Sequence, residues 1–221
     1  MGQTISIRRP DGTSINAHIA GTAQSRMGLV VIQEWWGLND YIRSVADRFA
    51  LAGYLVLAPD LYQGRVTQDM DEARHLMDGL DFPGATHQDI GAAVDHLRLS
   101  CDKVGVLGFC MGGALTIAAA VHVPNLSAAV CFYGIPPKQF ADPSNIKIPF
   151  QAHFAQHDDW CTPQLVDALE QGMRTAGANP EIYRYDANHA FFNHSRPEVY
   201  NATCADLAWE RANQFLKKHL G

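Results

Sequence analysis

The chain has 221 residues, 47% of them apolar, and a formal charge of −6 at neutral pH. That is enough apolar material for one domain over residues 1–221 with a buried sheet, and it supplies no basic field to hold nucleic acid or an anionic membrane surface. No apolar run approaches the roughly 20 residues of a membrane helix, and Met1 to Pro10 lacks the apolar core of a signal peptide, so a cytoplasmic location is expected.

In chain order, Thr4 to Arg9 and Ser14 to Ala20 flank the turn Pro10-Asp11-Gly12 and predict a leading hairpin. Apolar runs rich in β-branched residues recur at Gly28 to Gln33, Tyr54 to Ala58, Lys103 to Leu107, Ala128 to Tyr133 and Phe150 to Phe154, with a further strand at Glu181 to Tyr185. Helical spacing fills the intervals Tyr41 to Ala52, Pro83 to Leu99, Met111 to His122 and Pro163 to Ala176, and a long terminal helix is predicted over Arg196 to Leu220. The alternation predicts an α/β fold with a mostly parallel central sheet of about eight strands flanked by helices. Gln63 to Phe82 is the one excursion from it. The cysteines Cys101, Cys110, Cys131, Cys161 and Cys204 stand at irregular spacing without a paired metal or redox motif, so free thiols are expected.

The most informative segment is Gly105-Val106-Leu107-Gly108-Phe109-Cys110-Met111-Gly112-Gly113, a buried strand entering G-x-C-x-G and then a helix. This is the setting of a nucleophile elbow, with cysteine where such turns usually carry serine. Glycines two residues either side let strand and helix pass closely around a strained turn. The helix N-terminus favours a thiolate, and the Met111 amide offers a donor to an oxyanion. A buried structural cysteine beside a glycine turn is the plainer alternative.

The residues C-terminal to Cys110 weaken that alternative, because an acid and then a histidine arrive in the order the elbow arrangement requires. Asp158 and Asp159 fall where a predicted strand gives way to a helix, ahead of the capping pair Thr162-Pro163, and residue order does not choose between them. His189 lies between the last predicted strand and the terminal helix and is the one histidine in the base position. His153 and His157 are four apart, but the segment reads as strand and turn, so no metal site is expected. Glu34 follows a buried strand and precedes two tryptophans, a partly dry setting that should raise its pKa. Trp35, Trp36, Tyr62, Tyr133, Trp160 and Phe191 lie where strands end and are candidates for an aromatic pocket.

Taken together, Gln33-Glu34-Trp35-Trp36-Gly37, Pro59-Asp60-Leu61-Tyr62, Gly108 to Gly113, Tyr133-Gly134, Asp159 with Pro163, and His189-Ala190-Phe191 resemble the dienelactone hydrolases (carboxymethylenebutenolidases) over nearly the whole chain. The resemblance implies an α/β-hydrolase that opens a small lactone or ester, with no metal or organic cofactor and a small molecule as partner, as a monomer or small homo-oligomer. It also implies Cys110 as nucleophile, His189 as base and Asp159, four residues before the proline, as the acid. Glu34 would assist formation of the thiolate, and the Trp35 and Met111 amides would form the oxyanion hole. Where better-known members carry an arginine for a substrate carboxylate, four residues after the histidine, this chain has Asn193. Arg196, Arg65 and Arg74 are the nearest candidates to replace it. Two other readings use the same residues: a thioesterase or aryl esterase, and a non-enzymatic ligand-binding protein whose Cys110 responds to oxidation.

Overall fold

The computed structural model describes residues 2–221. Strands β1 (Gln3–Arg8) and β2 (Ser14–Ala20) form the expected hairpin, turning through Gly12 at φ 88°. Among the described residues β3 (Met27–Ile32), β4 (Leu55–Pro59), β5 (Lys103–Phe109), β6 (Leu126–Phe132), β7 (Phe150–His157) and β8 (Glu181–Asn188) complete one sheet in the order β1-β2-β4-β3-β5-β6-β7-β8. The β1–β2 and β2–β4 pairs are antiparallel, and the pairs from β4 onward to β8 are parallel.

The central strands read as continuous apolar runs because both sheet faces are covered. In β3, Val30 and Ile32 point into one core and Leu29 and Val31 into the other; in β5, Val104 and Val106 divide from Leu107 and Phe109 in the same way. The first core is closed by α4 (Gly91–Arg98), α5 (Met111–His122) and α6 (Pro163–Thr175), and the second by α1 (Asp40–Leu51) and α7 (Ala202–Leu220).

The chain places β4 on one side of β3 and β5 on the other, so the direction of winding reverses between β3 and β5. A crevice opens at the carboxyl ends of parallel strands at such a point. Ile32 pairs with Gly108, and two residues beyond that pair lie Glu34 and Cys110. The register of the sheet therefore brings together two groups that are far apart in sequence.

The structure departs from the sequence reading in two elements. Residues 63–82 are not plain excursion: they carry α2 (Met70–Asp78), whose Asp69 accepts a hydrogen bond from the Glu72 amide at 2.9 Å. Asp69 and Glu72 stand at capping spacing, a signal that was present in the sequence. The helical stretch after it, α3 (Phe82–Gly84) running into α4, passes through a π-helical turn at Ala85–Ile90. Helix α7 begins at Ala202 and not at Arg196, because Pro197 interrupts the segment and Asn201 supplies the cap, accepting from the Cys204 amide at 3.1 Å.

Candidate active site

Cys110 sits between β5 and α5 at φ 53°, ψ −115°, a region that non-glycine residues rarely occupy. Close packing enforces the turn. A Cβ on Gly108 would run into the Gly112 carbonyl, and one on Gly112 into the carbonyl of Gln33, so both glycines are required by approach of backbone to backbone. Tyr133 at φ 36° and Ala190 at φ 63° also have positive φ just beyond β6 and β8. Backbone strain is thus concentrated at the carboxyl edge of the sheet, where the candidate site lies.

His189 follows β8 directly, and its Nδ1 lies 2.7 Å from Oδ2 of Asp158. The Asp158 carboxylate is buried, and its Oδ1 accepts from the amides of Trp160 at 2.8 Å and Cys161 at 2.9 Å. Burial opposes its ionisation, but the imidazole and the two amides hold it below the usual carboxylate range. The sequence reading expects Asp159 in this place, and the structure corrects it. Asp159 is exposed and outside the cavity. Strand β7 runs on to His157, so Asp158 is the first residue past the sheet, and the turn its Oδ1 closes aims the other oxygen at His189.

His189 is held protonated up to about pH 10: burial pushes the other way, but Asp158 and the Cys110 sulfur outweigh it. Glu34 is fully buried, and burial raises its pKa to about 7, as its setting in the sequence led one to expect. Asn193 Nδ2 donates to its Oε2 at 2.7 Å and Tyr133 Oη to its Oε1 at 3.5 Å. Met111 opens α5, where the first amide of a helix has no helical carbonyl to bond. Among the described residues the Trp35 amide also finds no backbone acceptor.

A cavity of about 550 Å³ gathers Glu34, Trp35, Trp36, Cys110, Met111, Tyr133, Trp160, His189 and Arg196. Three expected wall residues stand elsewhere. Tyr62 backs Met111, its hydroxyl 3.2 Å from the Met111 sulfur, and faces a second cavity of about 510 Å³. Phe191 is fully buried behind Tyr133 and Tyr185, with ring centroids 5.6 and 4.9 Å away. Asn193 is buried as the clamp on Glu34, so it is a partner of the carboxylate and not a substrate contact. Of the arginines among the described residues only Arg196 enters the cavity wall; Arg65 lines the second cavity and Arg74 is exposed. Conversely, Met70, Met77, Phe82, Ile135, Pro136, Pro137, Cys161 and Val199 join the wall without having been singled out. The amphipathic pattern of α2 was the one signal for the first two.

His153 and His157 are spent elsewhere. His153 is buried between Tyr185 at 2.7 Å and Gln151 at 2.9 Å, and His157 pairs with Asp186 at 2.7 Å. Among the described residues no helix is long and apolar enough to cross a membrane.

A mostly parallel sheet whose carboxyl edge presents a strained elbow and a histidine in one cavity, with a buried aspartate bonded to that histidine, defines an α/β-hydrolase. Within that class the chain belongs to the dienelactone hydrolase family, whose model matches residues 15–220. It is similar to "Protein usf" of Aquifex pyrophilus, 33% identical with 100% of both chains covered. An Escherichia coli K12 protein named "Putative carboxymethylenebutenolidase" is 32% identical over 87% of this chain and 77% of that one. Among solved structures, the dienelactone hydrolase-like promiscuous phosphotriesterase P91 from metagenomic libraries shares the fold at a TM-score of 0.85, with 24% identity and 100% and 99% of the two chains covered. The family makes the protein a hydrolase of the esterase kind.

Proposed function

We propose that the protein hydrolyses a small ester or lactone through a cysteine nucleophile, with Cys110, His189 and Asp158 as the reacting set. The observation that carries this reading is the 2.7 Å bond from His189 to a buried, doubly amide-capped Asp158, with the imidazole and Cys110 lining one cavity. His189, raised well above its ordinary value, holds its proton at neutral pH, and the attacking species is the sulfur of Cys110 in its thiolate form.

The Cys110 sulfur adds to the acyl carbon, and the carbonyl oxygen takes the negative charge between the Met111 and Trp35 amides. When the acyl C–O bond breaks, the departing alkoxide takes the proton from His189, leaving a thioester on Cys110 and a neutral imidazole. Water then gives a proton to His189 and its oxygen to the thioester, which releases the carboxylic acid and returns sulfur and imidazole to their starting state. Asp158 holds the imidazole with Nδ1 toward it, so that Nε2 is the nitrogen that exchanges protons. Glu34, with its pKa near neutrality, is a proton partner at the Cys110 end of the cavity, and Asn193 sets its orientation.

Stoichiometric alkylation with peptide mapping tests the assignment. Modification of Cys110 alone should abolish ester hydrolysis. Activity that survives full labelling of Cys110, or that disappears when only Cys161 is labelled, removes Cys110 from the mechanism.

A further inference from the structure

The reacting groups account for one end of the cavity. Residues 63–82 add Met70, Met77 and Phe82 to the cavity lining and no hydrogen-bonding side chain. Ile135, Pro136 and Val199 continue the same apolar lining.

Charge decides what such a wall can hold. Arg196 is the sole arginine or lysine in the wall among the described residues, and it is already matched: its Nε and Nη2 both lie 2.7 Å from Glu198 Oε1, and its guanidinium lies 5.0 Å from the centre of the Trp36 ring. The carboxyl of Glu34 stands in the same cavity. An anionic arm would have to share Arg196 with Glu198 and the His189 imidazolium with Asp158 and, above the pKa of Glu34, would meet a like charge. The apolar lining also continues outward, with Met70 57% and Trp160 55% exposed at the cavity. Unbranched methionines adapt to ligands of differing shape at little cost.

Resting on the hydrolase reading above, we infer that residues 63–82 form the subsite for the larger arm of the substrate, through Met70, Met77 and Phe82, and that the substrate is a neutral ester or lactone bearing an uncharged hydrocarbon arm. These side chains set which ester is chosen, and the groups at the sheet edge set how fast it is cleaved.

The test is a series of p-nitrophenyl esters from acetate to octanoate, with the monosuccinate as the charged match for the butyrate. It is run on the wild type and on Met77→Ser, Met77→Lys and Met70→Lys, with rates normalised to alkylatable Cys110. In the wild type kcat/KM should rise roughly threefold to fourfold per methylene until the cavity is filled, the factor that ~0.8 kcal/mol per buried methylene represents. Butyrate should exceed succinate by about tenfold or more. Met77→Ser should flatten the chain-length slope. Each lysine variant should raise the succinate-to-butyrate ratio by about tenfold, a change of charge preference that loss of packing does not produce. Met70 is exposed, so Met70→Lys keeps the experiment decisive even if the Met77 variants fold poorly. A flat profile in the wild type, or a Met70→Lys protein with unaltered charge preference, overturns the subsite and leaves the hydrolase reading standing. No turnover of any ester by protein with fully alkylatable Cys110 overturns both.

Discussion

The two walls of the catalytic cavity are built on different physical terms. On one side Cys110, Glu34 and His189, and Asp158 bonded to the imidazole, each stand one or two residues beyond the end of a strand, and the sheet register sets their spacing. Glu34 and Asp158 are buried and hydrogen-bonded, and the backbone is strained around them. On the other side Met70, Met77 and Phe82 come from a segment inserted between β4 and α4, and none is fully buried. Labour is divided between them: positions anchored to the sheet are held closely enough for proton transfer, while the inserted segment offers adaptable apolar contact. Substitutions on the first wall should therefore lower kcat, and those on the second should change KM and selectivity.

The largest expected effect is at the elbow. Cys110→Ala should lower kcat by about 10⁴-fold or more, leaving the residual rate of binding and oxyanion donors alone. Single-turnover assays with a chromogenic ester would show it as loss of the acylation burst. A rate within about tenfold of wild type would mean that the strained turn is scaffold and that the two walls do not differ in kind.

Next, Asp158→Asn should lower kcat by about 10³- to 10⁴-fold, whereas Asp159→Asn, on the exposed side of the same loop, should stay within about threefold. Histidine NMR sharpens the contrast. In the wild type the His189 ring should titrate near pH 10, and in Asp158→Asn its pKa should fall toward the ordinary value because the largest opposing force to burial is gone. A histidine raised in the folded state contributes stability that is fully present below its unfolded pKa near 6.5 and is lost as pH rises through about 10. The stability gap between wild type and Asp158→Asn, measured by urea unfolding, should narrow over that interval. A gap that stays constant from pH 6 to 10 would break the pairing.

A smaller loss, about 10- to 100-fold in kcat/KM, is expected for Glu34→Gln. Burial raises the folded pKa of Glu34 to about 7, so ionising it costs stability as pH climbs from about 4.5, and no more is lost once pH exceeds about 7. Glu34→Gln should gain on the wild type in melting temperature between pH 5 and 7 and hold a constant margin above that. A melting temperature that falls at every pH, with normal activity in the folded fraction, would move Glu34 to the scaffold.

The smallest effect belongs to the rim. Trp160 is exposed and packs edge-on against Trp35 with centroids 5.7 Å apart, so Trp160→Ala should raise KM by about three- to tenfold with kcat nearly unchanged. A fall in kcat of the size seen at Asp158 would show that the outer wall also positions the reacting groups.

The sequence by itself determined the alternation of strands and helices, the elbow at Cys110, the candidacy of His189 and the raised pKa of Glu34. These are consequences of local pattern: apolar runs need two covered faces, a strained turn needs glycines at fixed offsets, and a carboxylate next to buried aromatics loses its water. Tertiary structure alone decided between Asp158 and Asp159, because the choice depends on where β7 ends and which carboxylate the amides of Trp160 and Cys161 turn inward. It also decided that Tyr62 and Phe191 stand behind the cavity, that Asn193 serves Glu34, and that Met70, Met77 and Phe82 join the cavity lining. Such assignments join residues tens of positions apart, and nothing in their immediate neighbours encodes the direction in which packing will turn them.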